Sequence, residues 1–152
     1  MNRKRLFFFL IPAIFLLDRV LKILVIRFLS EGEGFPVIPG IFHVTRVNNT
    51  GAAFGILRGN GAFLILISAL CIAFLVFYLL KNSFRGLAPV AWSLVLAGAL
   101  GNLYDRLRYG YVVDFLDLRV WPVFNAADVS ICLGAFLIVL HLFKPGRAEG
   151  RK

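Results

Sequence analysis

Four hydrophobic stretches, separated by short connections, constrain the fold more than any other feature of the sequence. They extend approximately over residues 6–28, 61–80, 87–104 and 126–143. A helix needs about 20 apolar residues to cross about 30 Å of hydrocarbon, and each stretch approaches that length. The chain is 60% hydrophobic and 16% charged, whereas soluble proteins average roughly 45–50% and about 25%. We therefore predict a membrane protein, all-α with a small β element, that has four transmembrane helices.

The basic residues predict how these helices are oriented. The opening sequence resembles a signal peptide, but no cleavage site follows it, so we expect a retained first helix. Basic side chains in short flanks mark the cytoplasmic side, which places both termini in the cytoplasm. This distribution also explains the net charge of +9 without nucleic-acid binding. The basic flanking residues are Arg3, Lys4, Arg5, Lys81, Arg85, Lys144, Arg147, Arg151 and Lys152.

The two connections on the other side, about residues 29–60 and 107–125, are predicted to form a small extracytoplasmic β-structure. Residues 41–47 and 111–120 are rich in β-branched and aromatic residues and are bounded by Gly and Pro, which favours extended segments. We interpret residues 30–40 as a turn-rich connector. At 152 residues the chain lacks room for a separate soluble domain of about 100 residues, so residues 1–152 are predicted to form one domain.

Two aspartates, Asp114 and Asp128, are predicted to lie at the outer end of the bundle. Carboxylates beside hydrocarbon are costly and therefore need a partner or a function. In an extended segment Asp114 faces away from Asp117 and Arg119, which can pair with each other. Asp128 follows Asn125 by three residues, so it can also serve a helix cap. Because both lie at one membrane depth on either side of a short connection, we expect them to meet.

A pair of close carboxylates can act as both acid and base. The two groups cannot both ionise cheaply, so they share a proton. The ionised member can deprotonate a water that attacks a carbonyl, and the protonated member can donate to the leaving amine. Peptide hydrolysis fits this chemistry. Cys71, Cys132, His43 and His141 lack ligand spacing, so we expect no metal, no cofactor and no disulfide.

Further polar residues lie within the first and third hydrophobic stretches. Gly98, Gly101, Asn102 and Asp105 form one helical stripe. For Asn102, Asp105 and Arg106, a polar clamp between the outer connections and the bundle and a direct substrate role both remain open. Asp18 and Lys22 are four residues apart and could form a structural ion pair or tune the aspartate site. Arg19 is expected to point elsewhere.

Three motifs in this order resemble those of the lipoprotein signal peptidases, or signal peptidase II. They are NNTGAAF (48–54), GNLYDRLRYGYVVDFLD (101–117) and FNAAD (124–128), preceded by LDRVLK (17–22). The resemblance implies an aspartyl endopeptidase of the bacterial inner membrane, with its active site near the extracytoplasmic face. Its substrates would be diacylglyceryl-prolipoproteins, which it would cut before the lipidated cysteine. Membrane lipids would surround it.

The resemblance also implies which residues form the site. The catalytic pair falls on Asp114 and Asp128, in agreement with the reasoning from the residues. Function as a monomer is also expected. The implied substrate-binding or site-supporting residues are Asp18, Lys22, Asn49, Gly51, Asn102, Asp105, Arg106 and Asn125.

Three other functions fit parts of the sequence. A small transporter could use membrane acids to bind protons or cations, but the acids here cluster at one edge instead of the midplane. A catalytically inert assembly protein would tolerate loss of both aspartates. An intramembrane protease of the presenilin type would need a GxGD signature, which is absent.

Overall fold

The computed structural model describes residues 3–51, 59–82 and 86–143. They form four helices and three strands, as the predicted mostly helical fold with a small β element requires. The third helix continues beyond the predicted end at residue 104, and Gly110 terminates it in the left-handed conformation at φ 80°. In chain order the elements are α1 (Arg3–Phe28), β1 (Gly34–Ile38), β2 (Phe42–Asn49), α2 (Gly61–Lys81), α3 (Ala88–Tyr109), β3 (Val112–Asp117) and α4 (Ala126–Leu142).

The strands form one antiparallel sheet in the order β1-β2-β3. The interpretation of residues 30–40 as only a connector was wrong, because β1 lies within them. This strand tolerates Pro36 because it is an edge strand. It begins at Gly34, where a Cβ atom would lie 2.6 Å from Thr45 Oγ1 of β2. The glycine therefore permits the close approach that pairs these two strands.

The strand predicted over residues 111–120 is shorter in the structure. β3 ends at Asp117, and Arg119 adopts a φ of 64°, which stops the extended conformation. The chain then returns alongside β3, where Phe124 forms an antiparallel bridge with Leu116. This return places the start of α4 directly beside β3.

Small side chains and one apolar cluster hold the sheet and the helices together. At Gly98 of α3, a Cβ atom would collide with the Ala127 carbonyl oxygen of α4, so the glycine permits close helix packing. Val25 of α1 packs with Val113 and Phe115 of β3 in a buried apolar cluster. The sheet consequently rests on the end of α1, with β3 facing the bundle.

The surface of the bundle is apolar and its interior contains charge. Large hydrophobic side chains of α1, α2 and α4 are exposed, whereas Asp18, Lys22 and Asp105 are buried. Among the described residues, α2 alone combines the length and hydropathy needed to cross a membrane, and the apolar α4 is shorter at 17 residues. Charged residues lower the hydropathy of α1 and α3. The four-span arrangement therefore stays a prediction.

Some sequence predictions concern parts of the chain outside the described residues. Residues 52–54 of the NNTGAAF motif are among these. The same holds for Arg85, Lys144, Arg147, Arg151 and Lys152, which contribute to the predicted orientation. Arg3, Lys4 and Arg5 lie in the first turns of α1, where the structure describes the backbone and not the side chains.

Candidate active site

The two predicted catalytic aspartates lie on adjacent elements and share one asparagine. Asp114 lies on β3 opposite Val47 of β2, and Asp128 lies in the first turn of α4. Asn125 donates from Nδ2 to Asp114 Oδ1 at 2.6 Å. Its backbone N–H donates to Asp128 Oδ2 at 3.2 Å. The structure therefore brings Asp114 and Asp128 together around Asn125.

Local sequence explains the position of Asp128. Asn125 is the N-cap of α4, and its Oδ1 accepts from the Asp128 backbone N–H at 2.9 Å. The Asp128 carboxylate bonds back to the Asn125 backbone, which completes a capping box. The predicted cap is confirmed. The same bonds hold the carboxylate towards Asn102, whose Nδ2 donates to Asp128 Oδ1 at 2.7 Å.

Asp114 is held on both of its oxygens. Asn49 of β2 donates from Nδ2 to Asp114 Oδ2 at 2.9 Å, while Asn125 occupies Oδ1. The side chain is only 2% exposed. Burial, followed by repulsion from Asp128, raises the pKa of Asp114 to about 7, although the bonds from Asn49 and Asn125 oppose this shift. Asp114 thus exchanges a proton near neutral pH.

Asn102 has a fixed orientation between the two aspartates and a buried lysine. Its Oδ1 accepts from Lys22 Nζ at 3.1 Å and from Asn125 Nδ2 at 3.2 Å. Because both of these groups can only donate, the Asn102 amide must turn its Nδ2 towards Asp128. Asn102 therefore links Lys22 to the carboxylate of Asp128 through one amide group.

Asn49, Gly51 and Arg106 form the side of the site next to the chain that follows β2. Asn49 Oδ1 accepts from the Gly51 backbone N–H at 2.9 Å, and Arg106 Nη2 donates to the Gly51 carbonyl at 3.1 Å. Arg106 also attracts both Asp114 and Asp128 electrostatically. It supplies positive charge beside the pair and holds the Gly51 backbone against α3.

The remaining predicted residues form a buried ion cluster between α1 and α3. Lys22 Nζ lies 3.1 Å from Asp18 Oδ2 and 2.7 Å from Asp105 Oδ2. Gly101 permits this approach, since a Cβ atom there would lie 2.8 Å from Asp18 Oδ2. The predicted pairing of Asp18 with Lys22 is confirmed, and Asp105 joins it.

The expectation that Arg19 points elsewhere was wrong. Arg19 Nη2 lies 3.0 Å from Asp18 Oδ2, and Nη1 contacts Asp105 Oδ1. Arg19 precedes Lys22 by three residues, so helical spacing could have placed both on one face. Asp117 instead behaves as predicted, because Arg119 Nη1 lies 3.0 Å from its Oδ2. Within the described residues, no group of His, Cys, Asp and Glu side chains could hold a metal.

Comparison with known proteins assigns the family. A family model for signal peptidase II matches residues 10–144. The chain belongs to the signal peptidase II family. It is 44% identical to a lipoprotein signal peptidase of Halothermothrix orenii, with 90% of this chain and 94% of the relative covered. It is 42% identical to another from Moorella thermoacetica, with 95% and 98% covered.

Solved structures agree with this family membership. A bacterial membrane enzyme determined in meso at 2.3 Å resolution matches with a TM-score of 0.87 and 34% identity, covering 96% of this chain and 92% of that one. A second, at 1.9 Å resolution, matches with a TM-score of 0.82 and 36% identity, covering 91% and 92%. Membership of the signal peptidase II family supports a protease and does not support the transporter alternative.

Proposed function

We propose that this chain is a four-span aspartyl endopeptidase of the bacterial inner membrane. It removes the signal peptide from diacylglyceryl-modified prolipoproteins by cutting before the lipidated cysteine. Residues 1–152 form its single domain, and it acts as a monomer. The observation that carries the proposal is the pair of carboxylates joined through Asn125, in which Asp114 is buried and Asp128 is half-buried.

The distribution of polar and apolar side chains supports four membrane spans. Leu16, Leu17 and Val20 of α1 are exposed, although Asp18 and Lys22 of the same helix are buried. In water this arrangement would expose apolar surface and bury charge, both of which are unfavourable. In a bilayer the apolar surface meets lipid, while the charges pair inside the bundle. The charged helices α1 and α3 can therefore span the membrane together with α2 and α4.

The aspartate pair supports water activation without a metal. Asp114, with its pKa near 7, and its neighbour Asp128 can hold one proton jointly. The ionised carboxylate removes a proton from water as the water attacks the scissile carbonyl carbon. The protonated carboxyl donates to the carbonyl oxygen, and a proton then passes to the leaving amine. The pair keeps a net charge of −1 through these transfers, and the positive charge of Arg106 offsets it.

The position of the pair suits a substrate that is itself anchored in lipid. β3 and the first turn of α4 lie where the sheet meets the bundle, which the predicted topology places at the extracytoplasmic interface. A substrate helix and two acyl chains would hold the scissile bond at that depth. Much of the binding energy would then come from parts of the substrate remote from the bond that breaks.

A cleavage assay tests the proposal. Detergent-purified protein is incubated with a diacylglyceryl-modified prolipoprotein, and the loss of the signal peptide is followed on a gel. Asp114→Asn and Asp128→Asn should each reduce cleavage by about 10²- to 10⁴-fold, the usual contribution of a general acid or base. Asp117→Asn is the matched control, because Asp117 lies on the same strand and bonds to Thr45 and Arg119 instead.

Folding of every variant is verified by its thermal unfolding. Cleavage by the wild type and by Asp117→Asn, but by neither dyad variant, supports the proposal. Equal cleavage by Asp114→Asn would refute the assigned pair. Failure of the folded wild type on a substrate that another active peptidase cleaves would refute the function.

A further inference from the structure

The ion cluster between α1 and α3 contains two carboxylates and two cations. Lys22 contacts Asp18, Asp105 and the Oδ1 atom of Asn102. An ammonium has three donors, so these contacts use all of them. Arg19 is the second cation, and its Nη1 atom contacts Asp105 Oδ1. Its guanidinium also reaches Asp18 and so bridges the two acids.

Each acid of the cluster also binds the backbone next to one candidate catalytic residue. Asp105 Oδ2 accepts from the backbone N–H of Val113 at 3.2 Å. Asp18 Oδ1 accepts from the backbone N–H of Ala127 at 3.0 Å. Val113 immediately precedes Asp114, and Ala127 immediately precedes Asp128. The two acids thus attach β3 and the first turn of α4 to a common support.

We propose that Arg19 is a positioning residue that sets the separation of Asp114 and Asp128. Its guanidinium fixes Asp18 and Asp105 relative to each other, and these acids fix the backbone on either side of the dyad. This inference rests on the proposed function, since it concerns the geometry of the same reaction. Arg19 itself makes its polar contacts with Asp18 and Asp105 and does not bond to Asp114 or Asp128.

The shape of the guanidinium suits this role. Its Nη1 and Nη2 atoms lie a fixed distance apart and contact separate carboxylates, Asp105 and Asp18. A lysine would keep the charge but would bring a single nitrogen on a flexible stem. The Tyr104 ring lies 4.9 Å from the Arg19 guanidinium carbon and further restricts its movement. Position 19 therefore requires the planar fork as well as the charge.

Kinetics of Arg19→Lys and Arg19→Gln test the inference. Both are compared with Arg27→Lys and Arg27→Gln, because Arg27 is an exposed arginine of the same helix. The readouts are kcat per folded molecule, KM, and the pH dependence of kcat/KM. We expect Arg19→Gln to lower kcat by about 10- to 100-fold, since displacement of about 1 Å costs up to about 10²-fold.

The KM of Arg19→Gln should change by less than about twofold, because the loss falls on the transition state and not on binding. Arg19→Lys should have an intermediate kcat. Wider separation of the two carboxylates weakens their repulsion, so the pH range of activity should become narrower in both variants. A residue that only stabilises the fold would lower the amount of folded protein without changing this profile.

Wild-type kcat and an unchanged pH profile in folded Arg19→Lys would overturn the inference. If Arg19→Gln does not fold, Arg19→Lys decides alone, because it retains the charge. Arg27 variants that lose kcat to the same extent as the Arg19 variants would also overturn it. An inactive, folded wild type would instead refute the proposed function, and this result differs from loss confined to Arg19.

Discussion

Helix α2 and the ion cluster between α1 and α3 differ in both polarity and exposure. The α2 helix is apolar nearly throughout and exposes Leu66, Leu70 and Phe74, which lie along one face at a spacing of four residues. The cluster of Asp18, Arg19, Lys22 and Asp105 is charged and almost completely enclosed. In a soluble protein the apolar helix would form the core and the charges would lie outside. Here the buried polar contacts specify how the elements fit together, while the apolar side chains of α2 face outward, where the proposed bilayer would contact them.

Removing the buried lysine should produce the largest effect. Lys22→Met leaves Asp18 and Asp105 with one cation and deprives Asn102 of a donor, and loss of one partner from a buried ion pair costs about 3–5 kcal/mol. We expect a free energy of unfolding reduced by about that amount in detergent. Lys81→Met is the control, because Lys81 is exposed in the last turn of α2 beside Phe77. Equal loss in both variants would contradict the contrast between the two regions.

The pH dependence of stability should sharpen the comparison. Burial and repulsion by Asp128 raise the pKa of Asp114 to about 7, above its ordinary value near 4 in the unfolded chain. The folded state therefore binds this proton more tightly, so its contribution is fully present below about pH 4 and is lost as the pH rises through about 7. We expect a decrease of about 2–4 kcal/mol between pH 4 and pH 8.

The control for this pH effect is Asp114→Asn, which lacks the titrating carboxyl. Its thermal unfolding should vary less with pH than that of the wild type. If the two pH profiles have the same slope, another group causes the change. Leu70→Ala in α2, which leaves Asp114 untouched, should retain the slope of the wild type.

Contacts that are local in sequence were predictable from the residue types, whereas contacts between distant segments needed the family resemblance or the structure. The cap formed by Asn125 and Asp128 follows from a spacing of three residues, so the residue types were sufficient. The role of Arg19 depends on Asp105, which is 86 positions away along the chain. Similarly, β1 became a strand because it pairs with β2, although its Gly and Pro residues favour a turn. The tertiary environment decided both cases.

Substitution of Asn125, which joins the two aspartates, should have an intermediate effect on stability. Asn125→Ala removes the N-cap of α4 and the bonds to Asp114 and Asn102, and loss of a cap costs about 0.5–2 kcal/mol. We expect that loss in unfolding experiments and about a 10²-fold lower kcat from the misplaced dyad. Asn82→Ala is the matched control, because Asn82 lies beyond the end of α2, far along the chain from the dyad.

A stability loss in Asn125→Ala with unchanged kcat per folded molecule would mean that the cap is structural only. In that case Asn49, Asn102 and the backbone N–H of residue 125 would be sufficient to hold Asp114 and Asp128. Loss of kcat in Asn82→Ala as well would indicate a general effect of asparagine removal.

The smallest effect is expected for substitutions on the exposed side of α2. Leu70 is 57% exposed. In a bilayer its side chain would be surrounded by lipid both before and after the protein unfolds within the membrane. Leu70→Ala should therefore change the free energy of unfolding by less than about 0.5 kcal/mol, as for a surface substitution, when measured in bilayers. A buried leucine would lose about 2–5 kcal/mol on the same change. Leu64→Ala supplies that comparison, because Leu64 is the buried leucine of α2. If Leu70→Ala costs as much as Leu64→Ala, then α2 packs its outward face against protein, and a second copy of the chain would be the partner to test.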